Sequence, residues 1–64
     1  MIQVNGNPLD MGGRSLSDYL SGTGYDPARI AVERNGQIVP KRLYGETVLQ
    51  DGDVLEIVSF VGGG

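Results

Sequence analysis

The chain opens on an alternation. Ile2 and Val4 are apolar, and Gln3 and Asn5 are polar. That period of two predicts a short half-buried strand. Asn5-Gly6-Asn7 follows, and Asn and Gly both tolerate the positive φ of a tight turn. Residues 8–11 return as a second strand, at an edge because Pro8 has no N–H for a ladder. Gly12-Gly13-Arg14 breaks the alternation. Ser15 then reads as a helix cap, with Asp18 three residues on completing a capping-box pattern near the positive helix end. Leu16, Tyr19 and Leu20 share one helical face at i, i+3 and i+4. Gly22 or Gly24 ends the helix. Two turns are too few to stand alone, so this helix must pack on a sheet.

The period of two returns further on. Residues 25–29 form a connector with room for one helical turn. Residues 30–34 are a β-rich run, Asn35-Gly36 is a hairpin dipeptide, and 37–40 is its partner, closed by Pro40. Residues 41–45 fit a single turn. Residues 46–49 lead into the turn Gln50-Asp51-Gly52-Asp53, and 54–60 is the longest strand candidate. The order is hairpin, helix, hairpin, connector, last strand. That is an α+β pattern in which a helix covers one face of a sheet.

Composition narrows what such a fold can do. There are 64 residues, enough for one domain. A chain of this size buries only about 60% of its unfolded surface, so its core is small. Leu, Ile, Val and Phe make up 18 of the 64 residues, above the roughly 20% below which disorder is expected. Cysteine and histidine are absent. Disulfides, thiolate nucleophiles, histidine acid–base chemistry and the usual zinc sites are therefore excluded. The net charge of −3 argues against a nucleic-acid partner. No apolar run reaches the roughly 18 residues of a membrane span, and the start lacks the regions of a signal peptide. The expectation is a cytoplasmic protein with neither nucleic acid nor membrane as partner.

Glycine supplies 11 residues, and three of them, Gly62, Gly63 and Gly64, stand together at the end. A frayed or appended end is one reading. The other is that the backbone itself is the device: a strip without Cβ atoms enters a channel that side chains would block. Four residues beyond Phe60 reach about 13–14 Å, enough to project an α-carboxylate from residues 1–61, the expected domain, along a flexible tail, 62–64. On the last strand Leu55, Ile57, Ser59 and Val61 alternate with Val54, Glu56, Val58 and Phe60. Glu56 marks its face as the outer one. Val58 and Phe60 are then exposed beside the tail, as a docking patch or as the ordinary apolar remainder of a small sheet.

Other constellations carry less. Asp51-Gly52-Asp53 lacks the oxygen count of a calcium loop and reads as a turn. Arg29, Arg34, Lys41 and Arg42 are the only basic concentration, read as solvated surface or a contact for an acidic partner. Gly22-Thr23-Gly24 is not a phosphate loop. No serine has a histidine to activate it, and nothing supports a catalytic or metal site.

Taken in order, Asn5-Gly6, Val32-Glu33-Arg34-Asn35-Gly36 with Ile38-Val39-Pro40, Asp51-Gly52-Asp53 and the final Gly-Gly resemble the ThiS family of sulfur carriers in thiamine biosynthesis. The resemblance covers essentially the whole chain. It implies a β-grasp (ubiquitin-like) fold: a mixed four- to five-stranded sheet on one short helix, with the first and last strands parallel neighbours. It also implies a carrier rather than an enzyme. The Gly64 carboxylate would be adenylated by an E1-like adenylyltransferase (ThiF-type), which consumes ATP and Mg. It would then receive sulfur from a sulfur-donating enzyme as a thiocarboxylate and pass it to thiazole synthase (ThiG-type). No cofactor would stay bound. Gly63 and Gly64 match the family's tail, Gly62 is an extra glycine, and Val58, Phe60 and Val61 fall on the partner-facing strand. The small subunit of molybdopterin synthase shares fold, tail and chemistry, and is usually longer. A ubiquitin-like conjugating tag and a plain interaction domain with an inert tail are further alternatives.

Overall fold

The computed structural model describes residues 1–60. Five strands form one sheet: β1 (Ile2–Val4), β2 (Asn7–Leu9), β3 (Ile30–Arg34), β4 (Gln37–Ile38) and β5 (Val54–Ser59), in the order β2-β1-β5-β3-β4. β1 and β5 run parallel, with Gln3 opposite Val54, while the other pairs are antiparallel. The single helix α1 (Leu16–Ser21) and 3₁₀ turns at Pro27–Arg29 and Lys41–Leu43 complete the regular structure. This is the expected mixed sheet on one helix, with first and last strands adjacent and parallel. Pro8 lies in the edge strand β2, where its missing N–H costs no ladder bond.

One face of the sheet makes the core. Ile2, Val4, Ile30, Val32, Leu55 and Ile57 are buried against Leu16 and Leu20 of α1. Val39, Tyr44 and Leu49 join them from the connector, which has almost no regular structure. That connector also completes the helix start. Carbonyls of Thr47 and Tyr44 accept from the N–H groups of Leu16 and Ser17 at 2.7 and 2.9 Å, and Ser15 Oγ accepts from the Asp18 N–H at 3.0 Å. First-turn donors, which have no partner inside a helix, are thus satisfied from outside it. Burial of its apolar face and these bonds allow so short a helix to persist.

Both hairpins turn on Asn-Gly with φ positive at both residues: 51° and 83° at Asn5-Gly6, 53° and 84° at Asn35-Gly36. Those values match a two-residue type I′ turn, whose twist suits antiparallel strands. Each asparagine has a second task. As β1 turns away, Asn5 Oδ1 accepts from the Ile57 N–H at 2.8 Å and its Nδ2 donates to the Ile57 carbonyl at 3.2 Å. The side-chain amide therefore replaces the next peptide of the parallel ladder. On the opposite side, the Val54 N–H donates to Asn35 Oδ1 at 2.9 Å, and the Asn35 N–H donates to the Val54 carbonyl at 2.8 Å.

Five local details differ from expectation. β2 spans Asn7–Leu9 rather than 8–11, and β4 stops at Ile38 because Pro40 already begins the next 3₁₀ turn. Gly22 ends α1 at φ −93°, without a left-handed residue. The reciprocal half of the capping box is absent: the Asp18 carboxylate pairs with Arg14 Nε at 2.8 Å. Asp53 is more than a turn residue. It is buried, and its carboxylate accepts from Arg34 Nε (2.9 Å), Asn35 Nδ2 (3.0 Å) and the Gln50 N–H (2.9 Å). It thereby ties the second hairpin to the turn before β5.

Burial alone would raise the Asp53 carboxyl. The bonds from Gln50, Asn35 and Arg34, with the Arg34 charge, outweigh burial and hold it below the usual carboxylate value. A carboxyl lowered on folding stabilises fully above its unfolded value of about 3.9 and ceases to do so as pH falls through its folded value. Urea midpoints should therefore fall as pH drops from 5 to about 3, and Asp53→Asn should flatten that part of the profile. Asn5→Ala should cost about 1–3 kcal/mol in urea unfolding, since the Ile57 N–H and carbonyl both lose their partner. Asn5→Gly removes the φ penalty yet keeps that loss, so it should recover only part of the stability.

Candidate functional site

Among the described residues, no helix lies over the sheet's outer face. Register places its side chains in rows: Pro8, Gln3 and Val54; then Ile38, Glu33 and Glu56; then Ala31 and Val58. The Phe60 N–H donates to the Arg29 carbonyl at 2.7 Å, which carries the β5 ladder one residue past Ser59. Phe60 is the last described residue.

The alternation along β5 has the phase expected from Glu56. Leu55 and Ile57 are buried, whereas Val54, Val58 and Phe60 are exposed by 43, 59 and 48%. Val58 and Phe60 therefore form an apolar strip at the end of β5. Ser59 is exposed as well, because the core ends at Ile57. The expectations placed on Val61, Gly62, Gly63 and Gly64 lie outside the described residues.

Of the four basic residues Arg29, Arg34, Lys41 and Arg42, three have acceptors within the chain. Arg34 is bound to Asp53, Lys41 Nζ donates to the Ala28 carbonyl at 2.9 Å, and Arg29 Nε lies 3.7 Å from Asp26. Among the described residues there is no cluster of three or more possible metal ligands, and no helix is long and apolar enough to cross a membrane. A shallow depression lined by Ile38, Val39, Pro40, Leu43 and Thr47 includes neither Val58 nor Phe60.

Sequence reasoning passed over one feature of this face. Glu33 and Glu56 are direct cross-strand partners. Only register brings them together, because 22 residues of sequence separate the two strand positions. The signal available beforehand was an acidic residue at the centre of each of two adjacent strand candidates.

Removal of a half-exposed aromatic loses much less than removal of a core one, for which Phe→Ala costs about 3–5 kcal/mol. Phe60→Ala should therefore lower unfolding stability by less than about 1 kcal/mol in urea titration. A core-sized loss would place Phe60 inside.

The fold and the sequence agree with a known group of proteins. The model of the ThiS family matches residues 2–64. The crystal structure of the thiamine biosynthesis protein (ThiS) from Geobacter metallireducens superposes with a TM-score of 0.80 at 28% identity, covering 98% of this chain and 97% of that one. The sulfur carrier protein ThiS of Bacillus subtilis is 41% identical over 68 residues, covering 100% of each. A thiazole synthase from Magnetococcus marinus is 44% identical over 64 residues, covering 98% of this chain and 20% of that protein. The chain thus spans about one fifth of the length of that relative, and the same holds for a thiazole synthase from Paramagnetospirillum magneticum. The sheet order, the parallel β1–β5 pair and the match across residues 2–64 lead to one assignment: this chain belongs to the ThiS family and has the β-grasp fold.

Proposed function

We propose that this chain is a sulfur carrier of thiamine biosynthesis, acting as a protein co-substrate rather than an enzyme. The observation that carries the reading is the full-length likeness to the sulfur carrier of Bacillus subtilis. In this chain β5 ends at Ser59, and Phe60 and Val61 are followed in sequence by three glycines. The reactive atom is the carboxyl carbon of Gly64. An α-carboxyl with a pKa of about 3.3–3.7 is ionised at neutral pH and is a poor electrophile. An E1-like adenylyltransferase (ThiF-type) joins it to the AMP of Mg-bound ATP and releases pyrophosphate. Sulfide (HS⁻) supplied by a sulfur-donating enzyme then attacks the acyl carbon. The C–O bond to AMP breaks, AMP leaves, and a thiocarboxylate remains.

Thiazole synthase (ThiG-type) is the acceptor of that sulfur. Support comes from relatives of that name in which about one fifth of the protein resembles this chain. Both enzymes must reach one atom, which accounts for Gly62, Gly63 and Gly64: glycines present no Cβ to the walls of a channel. Residues 1–61 are the domain that the enzymes grip and 62–64 the tail that enters them. Val58 and Phe60, with Val61 next in sequence, supply the apolar contact at the base of the tail. The reactions consume ATP and Mg on the activating enzyme, and the carrier retains no cofactor. The setting is cytoplasmic.

Incubation with the activating enzyme, MgATP and a sulfur source should raise the intact mass by about 16 Da, the sulfur-for-oxygen difference. Deletion of Gly63 and Gly64 should abolish the shift and leave the unfolding transition unchanged. No shift for the parent protein in a competent system would refute the reading. Phe60→Ala should weaken the complex with either enzyme.

A further inference from the structure

The outer face carries an arrangement that the fold does not need. Glu33 and Glu56 face each other directly across β3 and β5. The same ladder pairs Phe60 N–H with the Arg29 carbonyl and Asn35 N–H with the Val54 carbonyl. Counting in twos from either end makes Glu33 and Glu56 a hydrogen-bonded pair, with Cα atoms about 5.5 Å apart. Like charges directly opposite one another on a sheet are destabilising. Among the described residues, neither carboxylate takes part in an ion pair. Residues 61–64 contain no basic side chain that could supply one. Two of the five cations are held by aspartates at 2.8–2.9 Å, Arg14 by Asp18 and Arg34 by Asp53. Lys41 is occupied by a carbonyl.

The pair is also framed. Val54 and Val58 lie two residues to either side of Glu56 on the same strand face, roughly 7 Å away. Ile38 lies beyond Glu33 in the same row and is exposed. A double negative charge set in apolar surface matches a basic side chain rising from an apolar surface. Arginine suits it best, because its planar guanidinium offers several donors to two carboxylates at once.

We infer that the Glu33–Glu56 pair is the specificity-determining centre of the face that docks thiazole synthase, and that it receives an arginine or lysine of that enzyme. The inference rests on the sulfur-carrier reading. Thiazole synthase is the chosen partner because relatives of that name carry a segment similar to 98% of this chain within one polypeptide. Such a linkage keeps two docking surfaces at high effective concentration. The repulsion between the carboxylates is then relieved by the partner's cation.

The test is calorimetric titration of purified thiazole synthase from the same organism with the parent protein, Glu33→Gln, Glu56→Gln and the double variant, at low and high salt. The double variant should bind about tenfold or more weakly. It should lose most of the salt dependence of the parent, while its urea midpoint stays level or rises because the like-charge pair is gone. That opposite movement of binding and stability separates a recognition role from a structural one. Affinity within about threefold of the parent overturns the inference, as does a parent protein that does not bind. Weakened binding to the activating enzyme alone overturns the choice of partner. Thiocarboxylate formation, read by intact mass on the same samples, stands apart. A parent that forms thioacid while its glutamate variants bind unchanged refutes the pair and leaves the sulfur-carrier reading intact.

Discussion

β5 lies at the centre of the sheet. β3 lies along the whole of one side, and β1 with the Asn5 side chain lies along the other as far as Ile57, so most of its backbone donors and acceptors are paired. An unpaired buried peptide group costs about as much as a lost hydrogen bond, which makes this central strand the member that everything else must accommodate. β1 is only three residues long and cannot reach the whole of β5. Asn5 closes the gap with a side-chain amide that mimics a peptide at Ile57. Asn35 performs the corresponding service at Val54. The two turns that start the hairpins are therefore also clasps on the centre of the sheet, and the same φ-tolerant residue serves both purposes.

From that constraint the rest follows. A fixed β5 presents Leu55 and Ile57 to the helix and leaves Val54, Glu56, Val58 and Phe60 outward. The buried face is small, so the irregular connector contributes Val39, Tyr44 and Leu49 to complete it. Asp53 anchors the turn through which the connector enters β5. The outward face then has two properties useful to a carrier. It extends to Phe60, the residue from which the glycine-rich end follows in sequence, and its surface is apolar with an acidic centre. A strand paired on both sides is also a rigid element, because sheet-centre segments open least often.

Several elements were legible in the chain alone because their causes are local. Asn-Gly signals a type I′ turn wherever it falls. Ser15 caps α1 through its own third neighbour. The phase of β5 follows from a single glutamate among apolar residues. The strand ends were less legible: β4 stops two residues early, since the start of a 3₁₀ turn competes with continued pairing. Tyr44 and Leu49 entered the core from a segment without period, where no pattern announces burial. Asp53 looked like a turn residue because Asp-Gly-Asp is turn chemistry, and its partners Arg34 and Asn35 lie 19 and 18 residues away.

The sequence by itself determined the α+β order, the two hairpins, the inward and outward faces of β5, and the family likeness with its glycine strip. These rest on periods of two and 3.6 and on the φ preferences of single residues, all of which act over a few positions. The parallel run of β1 and β5 was implied by the family likeness and not by the residue pattern, and tertiary structure alone decided that Asn5 bonds a residue 52 positions later and that Glu33 sits opposite Glu56. Those facts depend on register between distant strands. Register is set by burying one continuous apolar face while pairing the peptides of the central strand, a condition on the whole chain that no short stretch of it contains.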